Sequence, residues 1–279
     1  MIFDIHTHFW NPGDITGQDS DESNLGVPEK MRERMSSDNH LRETQAVDRA
    51  VVLGFRALKT GFTTPNDATK AQVDRAPDRL VFFTGIDPAE KNFMEELERT
   101  HQDLGARGIK LGPIYQGVHP LDNRYREIYA YAQKYGLPIL IHMATTYTRG
   151  VPLDYARPIH MDQVAVDYPD LKLVLAHLGH PWNGEAIAVI RRNPNVYADI
   201  SALYYRPWQF WNAMQLLVEY GTTAKVFFGS DFPFTTPRES IVGIRNMNHI
   251  IEGSGLPRIP DSVIEEILNR DSFGILGID

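Results

Sequence analysis

Eight short apolar runs, separated by amphipathic stretches, constrain the fold of this chain more strongly than any other feature. The runs are mostly continuous rather than alternating, which is typical of parallel strands that are buried on both faces of a sheet. The intervening stretches show helical periodicity, and several of them end at a glycine, as helices commonly do. The predicted strands are residues 2–6, 50–54, 80–85, 108–111, 138–142, 172–177, 196–200 and 225–229.

This alternation predicts one α/β domain, residues 1–279, folded as a (β/α)8 TIM barrel. A doubly wound open sheet is the alternative, but no Gly-x-Gly-x-x-Gly turn of a dinucleotide-binding sheet follows the first predicted strand. Two irregular stretches, at about 9–40 and 143–158, interrupt the pattern after the first and fifth predicted strands. We expect both to be lid insertions, with a tolerated surface loop as the alternative for the first.

Composition excludes several classes of function. The net charge of −8 argues against a nucleic-acid partner and against binding to an anionic membrane surface. The sequence contains no cysteine, so disulfides, thiolate metal ligands and cysteine nucleophiles are excluded. It has neither a signal-peptide pattern nor an apolar run long enough to span a bilayer, and we therefore expect a cytoplasmic protein.

The first predicted strand ends in two histidines. In Asp4-Ile5-His6-Thr7-His8 the two-residue period of a strand directs Asp4, His6 and His8 to one side. Buried imidazoles and carboxylates need partners, and a divalent cation satisfies all of them together. The alternative is a strand end whose histidines bond to neighbouring carbonyl groups.

Other predicted strands end in chemistry-bearing residues as well. A barrel gathers its catalytic residues at the C-terminal ends of its strands. The residues at these ends are Lys110 on the fourth strand, His142 on the fifth, His177 on the sixth and Asp231 after the eighth. Several such residues at one end of the barrel predict a metal site with nitrogen and carboxylate ligands there.

Four segments together resemble the amidohydrolase superfamily. They are Asp4-Ile5-His6-Thr7-His8, the strand-end His142, Ala176-His177-Leu178-Gly179 and Gly229-Ser230-Asp231-Phe232-Pro233. The most similar branch is the amidohydrolase-related group that contains aminocarboxymuconate semialdehyde decarboxylase and resorcylate decarboxylases. The resemblance extends over the whole chain, and it implies the barrel fold, a divalent metal and a homodimer.

The resemblance also implies roles for individual residues. His6, His8, His142 and Asp231 would ligate one divalent metal, with zinc as the default and Mn2+ or Fe2+ as alternatives. His177 would then be a catalytic residue beside the metal. A binuclear alternative remains open, in which a carboxylated Lys110 bridges two metals and the histidines of the fifth and sixth strands hold the second.

These roles predict a metal-dependent hydrolase that acts on an amide, a lactone or another activated carbonyl compound. A divalent metal lowers the pKa of bound water from ~15.7 to about 7, and Asp231 would accept the proton. His177 would stabilise the oxyanion or position the water. The alternative is a metal-dependent non-oxidative decarboxylase, although the decarboxylases of the branch tend to be longer. A metal-free binding protein is a third possibility, against which the complete ligand set argues.

The predicted substrate is a small molecule that carries a carboxylate, because arginine binds carboxylate through two parallel hydrogen bonds. The candidate substrate contacts are Lys110, Arg56, Tyr147 and Arg149, with Tyr204, Tyr205 and Arg206 after the seventh strand. A surface position is the alternative for each. Four histidines are expected at the surface, namely His40, His101, His160 and His249. His119 lies on the loop after the fourth strand, and His180 is expected to support the metal site.

Overall fold

The computed structural model describes residues 1–11, 14 and 33–279. Eight strands form one sheet, in which each strand pairs in parallel with the next along the chain. They are β1 Phe3–Thr7, β2 Arg49–Leu53, β3 Leu80–Gly85, β4 Gly108–Leu111, β5 Ile139–Ile141, β6 Leu173–Leu175, β7 Val196–Asp199 and β8 Val226–Phe227. All eight predicted strands are present in the predicted order.

Backbone hydrogen bonds bring the last strand back to the first. Ile5 donates to the carbonyl of Phe228 at 3.2 Å, and Asp231 donates to the carbonyl of His6 at 2.8 Å. These bonds close the sheet, and the predicted (β/α)8 TIM barrel is confirmed.

Helices follow the strands and cover the outside of the barrel. They are α1 Ser37–Glu43, α2 Asn66–Asp74, α3 Phe93–Gln102, α4 Pro113–Gln116, α5 Asn123–Tyr135, α6 His160–Asp167, α7 Asn183–Arg192, α8 Pro207–Glu219, α9 Pro237–Arg245, α10 Asp261–Leu268 and α11 Ser272–Leu276. The sequence sets several of their ends. A capping box of Thr236 and Glu239 begins α9, and Gly136 in the left-handed region ends α5. Among the described residues, no helix is long and apolar enough to cross a membrane.

Apolar side chains fill two layers on either side of the strands. Alternate strand residues, such as Val52 and Ile139, pack against the helices in one large cluster. The residues between them, such as Val51 and Leu140, form a second cluster with Phe273 of α11. Phe273 stacks on Phe3 at the start of β1, with ring centroids 4.9 Å apart. The N-terminal end of the barrel is therefore packed, which leaves the C-terminal end for the site.

Two features near the C-terminal end were not predicted. A short antiparallel hairpin, Phe55–Ala57 paired with Phe62–Thr64, follows β2. The register of β1 against β2 also shifts between Asp4 and Thr7. Because such a bulge breaks the two-residue alternation, Asp4 does not follow His6 and His8 into the cavity described below.

The two predicted lids are described to different extents. Residues 12–13 and 15–32 of the first, at about 9–40, lie outside the described residues. The second, 143–158, is irregular as predicted, and it contains the single 3-10 turn Leu153–Ala156. Its residues Thr145–Thr148 line the cavity at the mouth of the barrel.

Candidate metal centre

A cavity of about 370 Å³ opens at the C-terminal ends of the strands. The sequence-predicted site residues that line it are His6, His8, Lys110, His142, Tyr147, His177, His180, Tyr205, Arg206 and Asp231. All of these except Tyr147, Tyr205 and Arg206 are buried, although all of them are polar or ionisable. Burying so many polar groups costs free energy unless they bond to one another or to a ligand.

Three ligand atoms converge at the floor of the cavity. His6 Nε2 lies 3.2 Å from His8 Nε2 and 3.4 Å from Asp231 Oδ1. Lys110 Nζ lies 3.2 Å from the same nitrogen of His6. Burial is the largest cause that holds the pKa of His6 and of His8 well below the usual value, and nearby Lys110 lowers both further. Both rings are therefore neutral, which is the form that binds a metal.

Asp199, at the end of β7, fixes the tautomer of His6. Its Oδ2 lies 2.9 Å from His6 Nδ1, and a carboxylate can only accept a hydrogen bond. The ring proton is therefore on Nδ1, and Nε2 presents a lone pair to His8 and Asp231. A carboxylate behind the imidazole is the usual support of a metal-bound histidine. Two neutral nitrogens and a carboxylate oxygen, held in this way, fit a divalent cation.

The backbone directs Asp231 into this group. Asp231 follows β8 and has a φ of 59°, in the left-handed region, which costs of order 1–3 kcal/mol for a residue other than glycine. The hydrogen bond from its backbone amide to the carbonyl of His6 helps to hold that conformation. Burial raises the pKa of the Asp231 carboxyl well above the usual value, and Lys110 offsets part of this rise. The same burial lowers the pKa of Lys110 to about 8.

His142 and His177 form a second pair of nitrogens. Ser201 Oγ bonds to Asp199 Oδ1 and lies 2.7 Å from His177 Nδ1. Since the hydroxyl donates to the carboxylate, it accepts from His177 Nδ1–H, and His177 Nε2 is left with a lone pair. That lone pair lies 3.2 Å from His142 Nδ1.

His142 meets His177 with a second lone pair. Its Nε2 donates to the carbonyl of Ala144 at 2.9 Å, so Nδ1 of the neutral ring is unprotonated. Burial lowers the pKa of His142 to about 3, which disfavours a proton shared between the rings. Two facing lone pairs are satisfied by a cation. The sequence predicted His142 as the fourth ligand beside His6, His8 and Asp231. In the structure its Nδ1 faces His177 instead, because the carbonyl of Ala144 binds its Nε2.

The walls of the cavity differ in character. One wall is aromatic and consists of Trp10, Phe55, Phe62 and Tyr115. Trp10 stacks on His8 with ring centroids 5.1 Å apart, which places this wall directly beside the candidate ligands. The lining also includes the polar residues Thr145, Thr146, Thr148, Tyr205 and Arg206. Arg206 lies over the ring of Tyr205, 4.4 Å from its centroid, and donates to the carbonyl of Ala202.

Several predicted residues lie elsewhere. Arg56 does not line the cavity, because its guanidinium makes two hydrogen bonds of 2.7 and 2.6 Å to Glu90. Arg149 is exposed and also lies outside the cavity lining. His40, expected at the surface, is buried, where Nε2 donates to Thr7 and Nδ1 accepts from Gln72. Burial lowers the pKa of His40 to about 3.

Asp199 and Ser201 are the functional residues that sequence reasoning missed. Asp199 lies at the C-terminal end of a predicted strand, the same position that identified His142 and His177. Asp199 could therefore have been predicted from its position at a strand end. Ser201 offers no such signal, because a serine after a strand is common in turns.

Comparisons with known proteins agree with this architecture. A family model described as Amidohydrolase matches residues 3–269. Curated protein sequences give no significant match. An uncharacterised TIM-barrel protein from Bordetella bronchiseptica is 24% identical, with a TM-score of 0.75, over 99% of this chain and 98% of that one.

Two further solved structures share the fold at lower identity. A probable 2-pyrone-4,6-dicarboxylic acid hydrolase from Acinetobacter baumannii is 15% identical, with a TM-score of 0.70 over 99% of each chain. A dihydroxybenzoic acid decarboxylase from Polaromonas sp. JS666, solved with bound manganese, is 16% identical, with a TM-score of 0.70 over 99% of this chain and 97% of that one. Because the family model spans nearly the whole chain and the fold agrees with it, this protein belongs to the amidohydrolase family.

Proposed function

We propose that the protein is a divalent-metal-dependent hydrolase. Its substrate would be a small planar molecule that carries a carboxylate and an activated carbonyl group, such as a lactone, which the enzyme hydrolyses. The observation that carries this proposal is the convergence of His6 Nε2, His8 Nε2 and Asp231 Oδ1 at the floor of the cavity. Neutral imidazoles and a carboxylate in one buried group have no better common partner than a divalent cation.

His6, His8 and Asp231 would hold the metal, and the His142–His177 pair is where the second ion of the binuclear alternative would bind. A bound divalent ion would supply hydroxide at neutral pH and would polarise a carbonyl oxygen. The nitrogen and oxygen donors suit zinc, manganese or iron. Manganese is the ion named for the Polaromonas decarboxylase structure.

The residues of the chain supply the proton transfers. Asp231 takes a proton from the attacking water. It returns the proton to the leaving oxygen as the single bond between that oxygen and the carbonyl carbon breaks. Burial raises the pKa of the Asp231 carboxyl, which makes the carboxylate a stronger base than that of an exposed aspartate. His177 has its proton on Nδ1 toward Ser201, so Nε2 can accept a hydrogen bond from the water or from the product acid.

The walls of the cavity indicate the class of substrate. The aromatic wall beside His8 suits a flat, unsaturated ring, which gains from stacking contacts. Arg206, also in the lining and held by Tyr205 and the carbonyl of Ala202, offers a guanidinium for a carboxylate. The compounds named for the two neighbours, 2-pyrone-4,6-dicarboxylic acid and dihydroxybenzoic acid, are rings with carboxylates.

Decarboxylation is the second candidate reaction. Structural neighbours described as 2,6-dihydroxybenzoate and 5-carboxyvanillate decarboxylases favour it. It requires a proton donor for the carbon that loses CO2. The buried histidines have lowered pKa values, so their neutral rings are not the source of that proton. A protonated Asp231 or Lys110 is the available donor if the carbon is protonated.

One assay separates the two reactions. The metal-loaded protein is incubated with a panel of carboxylated lactones and hydroxybenzoates in 18O-labelled water, and CO2 and labelled product are measured together. Uptake of one labelled oxygen without CO2 supports hydrolysis, whereas CO2 release without labelling supports decarboxylation.

Controls test the site itself. Asp231→Asn should abolish turnover, and Asp67→Asn should not, because Asp67 is exposed and pairs with Arg99 away from the cavity. Treatment with dipicolinate should remove both metal and activity. If turnover and thermal stability were both unchanged after chelation, the metal-dependent proposal would fail.

A further inference from the structure

We propose that the protein has a second, peripheral site for a divalent transition-metal ion, formed by His119, Asp154 and His160. The three residues come from different segments. His119 precedes α5, Asp154 lies in the turn Leu153–Ala156, and His160 is the first residue of α6. None of the three lines the cavity of the candidate metal centre, so this site is distinct from it.

The spacing of the ligand atoms fits a small metal ion. Asp154 Oδ2 lies 3.5 Å from His119 Nε2 and 3.3 Å from His160 Nε2. Tetrahedral zinc with bonds of about 2.0–2.2 Å holds its ligand atoms about 3.3–3.6 Å apart. The two imidazole rings face the carboxylate together, with their centroids 4.6 Å apart. Two of the three separations between ligand atoms thus match the edge of such a tetrahedron, and all three atoms lie within 4.8 Å of one another.

The exposure of the group suits an exchangeable ion. The side chain of His160 is 18% exposed, that of His119 31% and that of Asp154 52%. Solvent can therefore deliver the ion and supply water for the remaining position. Two imidazole nitrogens and one carboxylate oxygen select Zn2+, Co2+ or Ni2+ over Mg2+ and Ca2+, which prefer oxygen ligands.

Binding has a cost that the hydrogen bonds reveal. His160 Nε2 donates to the carbonyl of Asp154 at 3.0 Å, and His119 Nδ1 accepts from the amide of Leu121 at 3.2 Å. To bind an ion through Nε2, each ring moves its proton to Nδ1, and both hydrogen bonds are given up. The number of ring protons is unchanged. Because of this cost, we expect the ion to bind more weakly and to exchange more readily than one at the buried centre.

The position of the site links it to the cavity. Asp154 belongs to the 143–158 segment, of which Thr145–Thr148 line the cavity. His119 lies on a different loop, so an ion bound by both residues fixes this segment to the loop before α5. The exposed Arg149 lies on this segment, between Thr148 and Asp154. An occupied site should therefore restrain Arg149.

The test counts zinc. The full-length protein, its His160→Gln and His119→Gln variants, and a His249→Gln control are equilibrated with Zn2+, and bound metal is measured by plasma mass spectrometry. His249 is a suitable control because it is 68% exposed and outside both groups. The wild type and His249→Gln should bind one equivalent more than either cluster variant, with circular dichroism showing that all four are folded.

Limited proteolysis gives a second readout that does not depend on activity. Zn2+ should slow tryptic cleavage after Arg149 in the wild type and in His249→Gln, and should have no effect in His160→Gln. The proposal is overturned if both cluster variants keep the full zinc count. It is equally overturned if the extra equivalent is lost in His142→Gln and retained in His160→Gln, because that ion would then belong to the barrel.

Discussion

Replacing Asp199 by asparagine tests the proposed metal site, because the change keeps the size of the side chain and alters only its bonding. Asp199 Oδ1 accepts from the backbone amides of His177 and Ser201, each at 3.0 Å. In the Asp199→Asn variant the amide oxygen must stay on that side, since the NH2 group cannot accept from two N–H donors. The new NH2 group therefore faces His6 Nδ1.

The expected magnitude follows from this geometry. Facing a donor, neutral His6 would move its proton to Nε2, and the lone pair needed by the metal would be lost. The hydrogen bond removed is buried, 2.9 Å long and charge-assisted, which is worth about 1.5–3 kcal/mol. Loss of such support behind a ligand lowers metal affinity by about 10–100-fold, and we expect a fall in this range.

Affinity is measured by competition with a chromophoric chelator, and the tautomer of His6 by 15N NMR of the metal-free protein. Asp4→Asn is the matched control, because Asp4 is buried nearby and bonds to the amides of His6 and Ser230 and to the Ser230 side chain, not to a histidine ring. It should keep the affinity of the wild type. The reasoning is refuted if Asp199→Asn binds metal as tightly as the wild type, or if His6 keeps its proton on Nδ1.

Substitutions of His177, His40 and Arg206 test three other parts of the structure. His177→Ala should lose turnover but retain the metal held by His6, His8 and Asp231; less than half of the wild-type metal by plasma mass spectrometry would instead support the binuclear site. His40 stays neutral in the fold with a pKa of about 3, so the stability it contributes is present above pH 6.5 and is lost as the pH falls. Urea unfolding at pH 6.5 and 5 should therefore show a loss of unfolding free energy about 1.6 kcal/mol smaller in His40→Gln than in the wild type, and equal losses would contradict the assignment. Arg206→Met should raise KM for a carboxylated substrate by about 10–100-fold and leave KM for its methyl ester unchanged, and equal effects on both would exclude carboxylate binding.

Much of the fold was predictable from the sequence, because strand and helix periods are local properties of the chain. Each of the eight apolar runs became a barrel strand, and the rule that functional residues follow strand ends located His6, His8, His142, His177 and Asp231 at the cavity. The ends of the strands were less predictable. His142 and His177 lie beyond β5 and β6, because their segments leave the sheet to turn toward the cavity.

Contacts between distant segments decided the rest. His6 and Asp199 are 193 residues apart, and no local pattern reports that one fixes the tautomer of the other. Arg56 follows a strand as a substrate contact would, yet its charge is taken by Glu90, which a different loop supplies. His40 lies in a polar helix, but the barrel buries it against Thr7.

The barrel and the kinds of side chain at its mouth were therefore predictable from short segments, because apolar periodicity and strand-end position are local properties. The folded chain was needed to learn which nitrogen of each histidine carries a proton, which cations remain available to a substrate, and which polar groups are buried. Those properties depend on partners that folding brings together from across the chain, and a hydrogen bond or an ion pair exists only when both partners are in place.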